Sequence, residues 1–133
     1  MAAMRLGTVG LALLTLANCA TDSDRVSSSQ QRWTPQGDPV NCVIIRNIRS
    51  TSVMGDRTIH FAMNGRDRMF RNELPFACTG LGFSRSFAHN SRTSQLCRVD
   101  TITVIQGGSR GMTCALGQFQ PMVPVEQATP LPK

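Results

Sequence analysis

The sequence of this 133-residue chain predicts an all-β fold, a small disulfide-stapled sandwich or partly open barrel of about six short strands. Three observations carry this prediction. Between residues 41 and 120, apolar side chains recur mostly at every second position, which is the period of a strand. The same segment has no run with the period of an amphipathic helix, and it holds four cysteines that suit two disulfides. So short a domain needs such links, because burial alone gives it only a few kcal/mol.

The first three strands are predicted from β-branched and alternating runs. Residues 42–48, CVIIRNI, are compact and β-branched, and residues 58–63, TIHFAM, alternate between apolar and polar positions. An Asn-Gly turn signal follows, and residues 68–74, RMFRNEL, form the return strand. A four-residue loop would place Phe61 opposite Phe70, whereas a two-residue loop would place an arginine there. We predict the longer loop, because it keeps apolar side chains on one face.

The second half of the domain is predicted to add three more strands around glycine-rich loops. The clearest is TITVI within residues 99–105, where Ile102 and Val104 face inward and the threonines between and before them face outward. A bulge is expected at Gly117, because glycine inside a strand pattern marks such an irregularity. In chain order, the predicted segments are a Gly-broken loop after Pro75, a strand at 84–89, a polar turn at 90–95, a strand at 99–105, a loop at 106–111 and a strand at 112–119.

Residues 1–18 have the pattern of a signal peptide, so we predict that the protein is exported. A short stretch with one positive charge, Met1 to Arg5, precedes an apolar run from Leu6 to Leu16. At about 11 residues, this run is too short to cross a bilayer as a helix, which needs about 20.

The end of the signal resembles a bacterial lipobox. The residues LANC end at Cys19, which would then carry diacylglycerol, although Asn18 departs from the usual Gly, Ala or Ser before the cysteine. Ordinary cleavage after Ala17 or Ala20 is the alternative. Because Ala20 rather than Asp follows the cysteine, the resemblance to lipoprotein sorting favours the periplasmic face of the outer membrane. A soluble periplasmic or secreted protein remains the alternative.

The segments on either side of the domain are predicted to be disordered. Residues 19–40 are rich in Ser, Gln and Asp and have no apolar period, as expected of a tether. Residues 121–133 carry four prolines and are predicted to end the sheet ladder. The β-domain is therefore expected to span residues 41–120.

Cysteine count predicts two disulfides. Without Cys19, the chain keeps an even set of cysteines, as is common in oxidising compartments. Three pairings are open to four cysteines. We favour Cys42–Cys114, which would join the first and last strands, and Cys78–Cys97, which would close the middle loop.

Four blocks of the sequence together carry a family resemblance. They are CVIIRNIRSTSV followed by TIHF, then RNELPFACTGL, LCRVDTITV and CALGQF, and they cover residues 41 to about 119. With these blocks, the chain resembles a family of small exported bacterial proteins with four cysteines and no known function. The resemblance implies an exported, disulfide-bonded domain, a lipoprotein type of address and no particular chemistry.

No catalytic residue, cofactor or metal site is predicted. Cys97 with Arg98, Asp100 and a histidine, either His60 or His89, has the residue types of a cysteine nucleophile site, but even sets of exported cysteines are usually disulfides. Cys78, His89 and Cys97 are too widely spaced for a typical zinc site.

Positive charge is the most usable functional feature. The net charge is +6, from 14 basic against 8 acidic residues. We expect a non-catalytic binding or structural module that contacts an anionic envelope component or an envelope protein, not nucleic acid, which exported proteins seldom meet. An inhibitor of a secreted or envelope hydrolase is the alternative. Arginines that the first hairpins could gather are candidate anion ligands: Arg46, Arg49, Arg66, Arg68 and Arg71.

Overall fold

The computed structural model describes residues 32–128 and confirms the all-β fold. This part of the chain contains ten strands rather than about six, together with one short helix and two 3₁₀ turns. None of its helices is long and apolar enough to cross a membrane. The predicted signal peptide and Cys19 lie outside the described residues.

The strands are β1 (Trp33–Pro35), β2 (Cys42–Ile44), β3 (Ile48–Val53), β4 (Thr58–Met63), β5 (Met69–Glu73), β6 (Phe87–Asn90), β7 (Gln95–Cys97), β8 (Thr101–Gln106), β9 (Ser109–Ala115) and β10 (Phe119–Pro124), and the helix is α1 (Leu81–Ser84).

The strands form three antiparallel sheets. The largest has the order β1-β10-β5-β4-β3, the second pairs β2 with β7, and the third has the order β6-β8-β9. The chain therefore builds a meander from β3 to β5 and then returns to the same sheet only with β10.

The predicted hairpin is confirmed in its strands and its register. Phe61 of β4 lies opposite Phe70 of β5, and the Met63 N–H donates to the Arg68 carbonyl across a four-residue loop. The inward residues of β4 are buried while the residues between them are half-buried. The alternating pattern set this register, because a slip by one residue would turn the apolar side chains outward.

The core lies between the sheets and centres on two phenylalanines. The rings of Phe61 and Phe119 meet edge to face with centroids 5.4 Å apart. Ile102 and Val104 of β8 face this core, as predicted. Thr103 is not exposed as expected: it is 5% exposed, and its hydroxyl lies 2.9 Å from the Thr113 hydroxyl on β9. The Thr113 side chain of β9 and the Asn90 side chain of β6 both contact the Thr103 hydroxyl, and these neighbouring side chains shield it from solvent.

The four cysteines of the domain form two disulfides, as predicted, but neither has the partners that we favoured from the sequence. Cys42 bonds Cys97, and Cys78 bonds Cys114. The prediction was wrong because it paired the first and last predicted strands, whereas β2 lies beside β7 and places Cys42 directly opposite Cys97. Two disulfides indicate a protein of an oxidising compartment, and so an exported one.

Strands extend past both predicted limits of the domain. Residues 33–35, assigned to the tether, form the edge strand β1, and β10 continues to Pro124 before a 3₁₀ turn at Val125–Gln127. The prolines of β10 are tolerated because of where their nitrogens lie. Pro121 lies opposite Phe70 of β5, but its backbone groups point towards β1, where its carbonyl accepts a hydrogen bond from the Gln36 N–H just past the end of that strand. Pro124 lies beyond the last pair of β10 with β5, so neither proline removes a needed bond from the β5 ladder.

The second half of the domain differs from its predicted segments at several places, one of which is the strand β7, where only a polar turn at 90–95 was predicted. The strand predicted at 84–89 is divided between α1 and β6, because Arg85 adopts a left-handed conformation and its N–H closes the helix on Leu81. The loop predicted at 106–111 is a tight Gly107–Gly108 turn between β8 and β9. The strand predicted at 112–119 is interrupted at Gly117, which connects β9 to β10 instead of forming a bulge.

Candidate functional site

Four of the five candidate arginines lie at one end of the β3–β5 meander. Asn64, which opens the β4–β5 loop, holds this end together: its N–H donates to the Asn47 carbonyl (2.7 Å), and its side-chain amide donates to the Arg46 carbonyl (3.1 Å). The loop carrying Arg66 and Arg68 is thereby fixed against the turn that carries Arg46. Two segments 18 residues apart along the chain thus meet at this end.

Arg49 joins the same end through an irregularity of β3. Ile48 pairs with Met63 and Ser50 pairs with Ala62, so Arg49 is the extra residue of a β-bulge. We call Arg46, Arg49, Arg66 and Arg68 the arginine end. All four side chains are exposed.

The arginine end has an unbalanced charge. Arg71 pairs with Glu73, whereas the arginine end itself brings together four exposed guanidinium groups. The nearest acidic residue in sequence, Asp67, accepts a hydrogen bond from the Gln127 side chain (2.8 Å). Exposed guanidinium groups can each form bidentate contacts with a phosphate or carboxylate.

Arg71 does not belong to the arginine end. It lies on β5 beside His60 of β4, on the face of the sheet opposite Phe61 and Phe70. Its Nε lies 3.7 Å from a carboxylate oxygen of Glu73, with both side chains partly exposed. At about 3.3 Å of rise per residue, Arg71 is about 10 Å along the strand from Arg68. Strand alternation thus separates two arginines that are close in sequence.

His60 is the histidine of this polar face, beside Arg71 and Glu73. Burial lowers the pKa of His60 below its ordinary value, the nearby Arg71 lowers it further, and Glu73 partly opposes both. A lowered pKa means that the unfolded chain binds a proton more readily than the folded one. The folded state is therefore expected to lose stability as pH falls below about 6.5 and to lose no more below the folded pKa.

Replacing His60 by glutamine is expected to flatten this part of the stability profile. The wild type should show a free energy of unfolding that declines from pH 7 to pH 5, and His60→Gln should show a smaller decline, because the group that takes up the proton is gone. Urea unfolding at several pH values measures both. His89→Gln, at an exposed histidine, is the matched control and should retain the wild-type slope. An unchanged slope in His60→Gln would contradict the assignment.

The candidate nucleophile residues do meet, but without a thiol. A cavity of about 640 Å³ beside β6 and β7 is lined by His89, Asp100 and Cys97, among others. Cys97 is disulfide-bonded, so it offers no nucleophile. The Asp100 carboxylate accepts from the Cys97 N–H at 2.8 Å and holds the turn after β7. A cysteine-based catalytic site needs a free thiol, and Cys97 does not supply one to this cavity. Asp100 serves the turn and not a catalytic histidine.

A second group of exposed side chains was missed by the sequence analysis. Phe76, Phe83 and Met54 are large apolar residues left in solvent. They lie in loops and in α1, where no alternating pattern distinguishes an exposed apolar residue from a buried one.

Comparison of the chain with known protein families, curated proteins and solved structures finds no match.

Proposed function

We propose that the protein is a non-catalytic envelope module that binds a phosphate-bearing anionic component through its arginine end. The positive charge of these four exposed arginines, gathered at one end of the meander, supports this proposal most directly. Arginine binds phosphate in a planar, two-pronged geometry, and a fixed loop reduces the entropy lost on binding. The anchoring of the β4–β5 loop by Asn64 supplies that preorganisation.

The address that fits this function is the cell envelope. We propose lipid attachment at Cys19 and a position on the periplasmic face, favouring the outer membrane, with a soluble periplasmic or secreted form as the alternative. The resemblance to exported four-cysteine proteins agrees with this address. The intact mass of the protein from its native envelope tests it, since acylation at Cys19 gives a mass that cleavage after Ala17 or Ala20 does not.

Removing three charges from the arginine end is expected to weaken binding to de-acylated lipopolysaccharide, a probe that keeps its phosphates and lacks acyl chains. Arg46→Gln, Arg66→Gln and Arg68→Gln together should lower affinity by about tenfold or more at low salt, because each charged hydrogen bond contributes about 1 kcal/mol or more. Titration calorimetry at two salt concentrations measures affinity and its salt dependence, which should also decrease.

The control removes the same net charge from other exposed positions. Arg92→Gln, Arg98→Gln and Arg110→Gln lie outside the arginine end and change the net charge equally. This triple variant should retain most of the affinity. Equal losses in the two variants would show a general charge effect and would contradict a site at the arginine end.

A further inference from the structure

Three large apolar side chains are exposed near the end of the meander opposite the arginine end. Phe83 is 92% exposed, Phe76 is 80% exposed and Met54 is 55% exposed. We call these three residues the aromatic end. Phenylalanine at such exposure is unusual for a residue with no role in contact, and exposed apolar groups that cluster mark interaction surfaces.

Hydrogen bonds to Asp56 bring the three segments together. The Asp56 carbonyl accepts from the Cys78 N–H, and its carboxylate accepts from the Gly82 N–H, each at 2.7 Å. Met54, Phe76 and Phe83 are each within two residues of one of these three groups. Gly82 also packs so closely on Gly55 that a side chain there would lie 3.1 Å from its backbone.

Covalent and hydrogen bonds hold the backbone on either side of the aromatic end. Cys78, two residues after Phe76, is fully buried and bonded to Cys114. The Arg85 N–H closes α1 on the Leu81 carbonyl at 2.8 Å, one turn around Phe83. An ordered apolar surface loses little conformational entropy when it is covered.

Charge and backbone pairing at this end fit a lipid surface. The Arg57 guanidinium donates to the carbonyls of Leu74 and Pro75, each at 3.3 Å, so two carbonyls just before Phe76 are already paired. Backbone groups paired within the protein are less costly to move towards an apolar phase. Arg57 and Arg85 are exposed cations beside the phenylalanines, and Asp56 is the acidic residue near them. Glu73 at the end of β5 pairs with Arg71, so the three arginines and two carboxylates of this end leave one net positive charge.

We propose that the aromatic end inserts Phe76 and Phe83 into the interface of an anionic lipid bilayer. The phenyl rings enter the headgroup and acyl boundary, where aromatic side chains are favoured, and the arginines remain at the level of the anionic headgroups. This contact is separate from the arginine end, since the six-residue β4 separates the two ends by about 17 Å. It therefore does not depend on phosphate binding there.

Fluorescence quenching by brominated lipid tests the contact at a single residue. The full chain with Trp33→Phe, which removes the one native tryptophan, receives either Phe83→Trp or Val125→Trp. Val125 is also exposed, at 51%, but follows β10 near Arg32, away from the aromatic end. Both variants keep the same N-terminal segment, so any membrane binding by that segment is common to them.

Vesicles of phosphatidylglycerol brominated in the acyl chains should quench the Phe83→Trp variant at least about twofold more than the Val125→Trp variant. Phosphatidylcholine vesicles should quench the Phe83→Trp variant less, because they lack the anionic charge. Phe76→Ser added to Phe83→Trp should reduce the quenching, and circular dichroism checks that the fold is retained. Equal quenching of the two single-tryptophan variants, or none of the Phe83→Trp variant, would overturn the proposal. Absence of quenching at position 83 would leave a protein partner as the occupant of this surface.

Discussion

Replacing Cys78 and Cys114 together by alanine is expected to lower the free energy of unfolding by about 4 to 6 kcal/mol. The disulfide links residues 36 apart, for which loop-closure entropy alone predicts about 4 kcal/mol. Cys78 is also fully buried in the core, so alanine leaves unfilled space beside Leu81 and its neighbours. Domains of this size have total stabilities of about 5 to 15 kcal/mol, so this loss is at least a quarter of the free energy of unfolding.

Urea unfolding followed by circular dichroism measures this loss. Cys19→Ala is a matched control, since Cys19 belongs to neither disulfide, and it should leave the unfolding midpoint unchanged. Cys42→Ala with Cys97→Ala should cost about 4 kcal/mol, with less lost packing because both residues are only half-buried. A loss below about 1 kcal/mol in the Cys78 and Cys114 variant would show that the disulfide does not stabilise the core as argued.

Replacing Asn72 by aspartate is expected to lower the free energy of unfolding by about 3 kcal/mol. Asn72 is fully buried on β5 and pairs with both backbone groups of Gly117: its amide donates to the Gly117 carbonyl at 2.8 Å, and its oxygen accepts from the Gly117 N–H at 2.9 Å. Aspartate has no amide donor, so it leaves the carbonyl unpaired and places a second oxygen against it. A charged carboxylate there would also be desolvated.

Thermal or urea unfolding at pH 7 measures the effect of Asn72→Asp. Asn90→Asp makes the same chemical change at an exposed residue whose amide donates to the Thr103 hydroxyl, and it should cost less than about 1 kcal/mol. If both variants were equally stable, the pairing with Gly117 would not hold the β9–β10 connection. The close approach of Gly117 to the Glu73 carbonyl, where any side chain would overlap, places this connection directly on the end of β5.

The β4–β5 hairpin could be predicted from sequence because its determinants are local. The alternation in TIHFAM, the Asn-Gly signal and the requirement that Phe61 meet an apolar partner all lie within residues 58–74, and together they admit one good register. The formation of two disulfides, which is typical of exported proteins, could also be predicted from the sequence, because it depends on the number of cysteines and not on their positions in the fold.

The residue type of the candidate site could be predicted from the sequence, but which of the arginines lie together could not. The sequence pointed to arginines of the first hairpins, and four of them do share one end. Arg71 does not, because alternation along β5 turns it to the face that holds His60. The aromatic end had no local signal at all: the segments of Phe76 and Phe83 are brought together only through separate hydrogen bonds to Asp56, which lies well before both in the chain.

By itself, then, the sequence determined the strand period and the central hairpin, because both depend on neighbours along the chain, and the set of four disulfide cysteines, because that depends on their number. The tertiary structure alone decided the disulfide partners, the addition of β1 and the proline-bearing β10 to the sheet, and the contrast between an arginine end and an aromatic end. Those features depend on which distant strands become neighbours, and that is settled by the free energy of packing the whole core and not by any single segment.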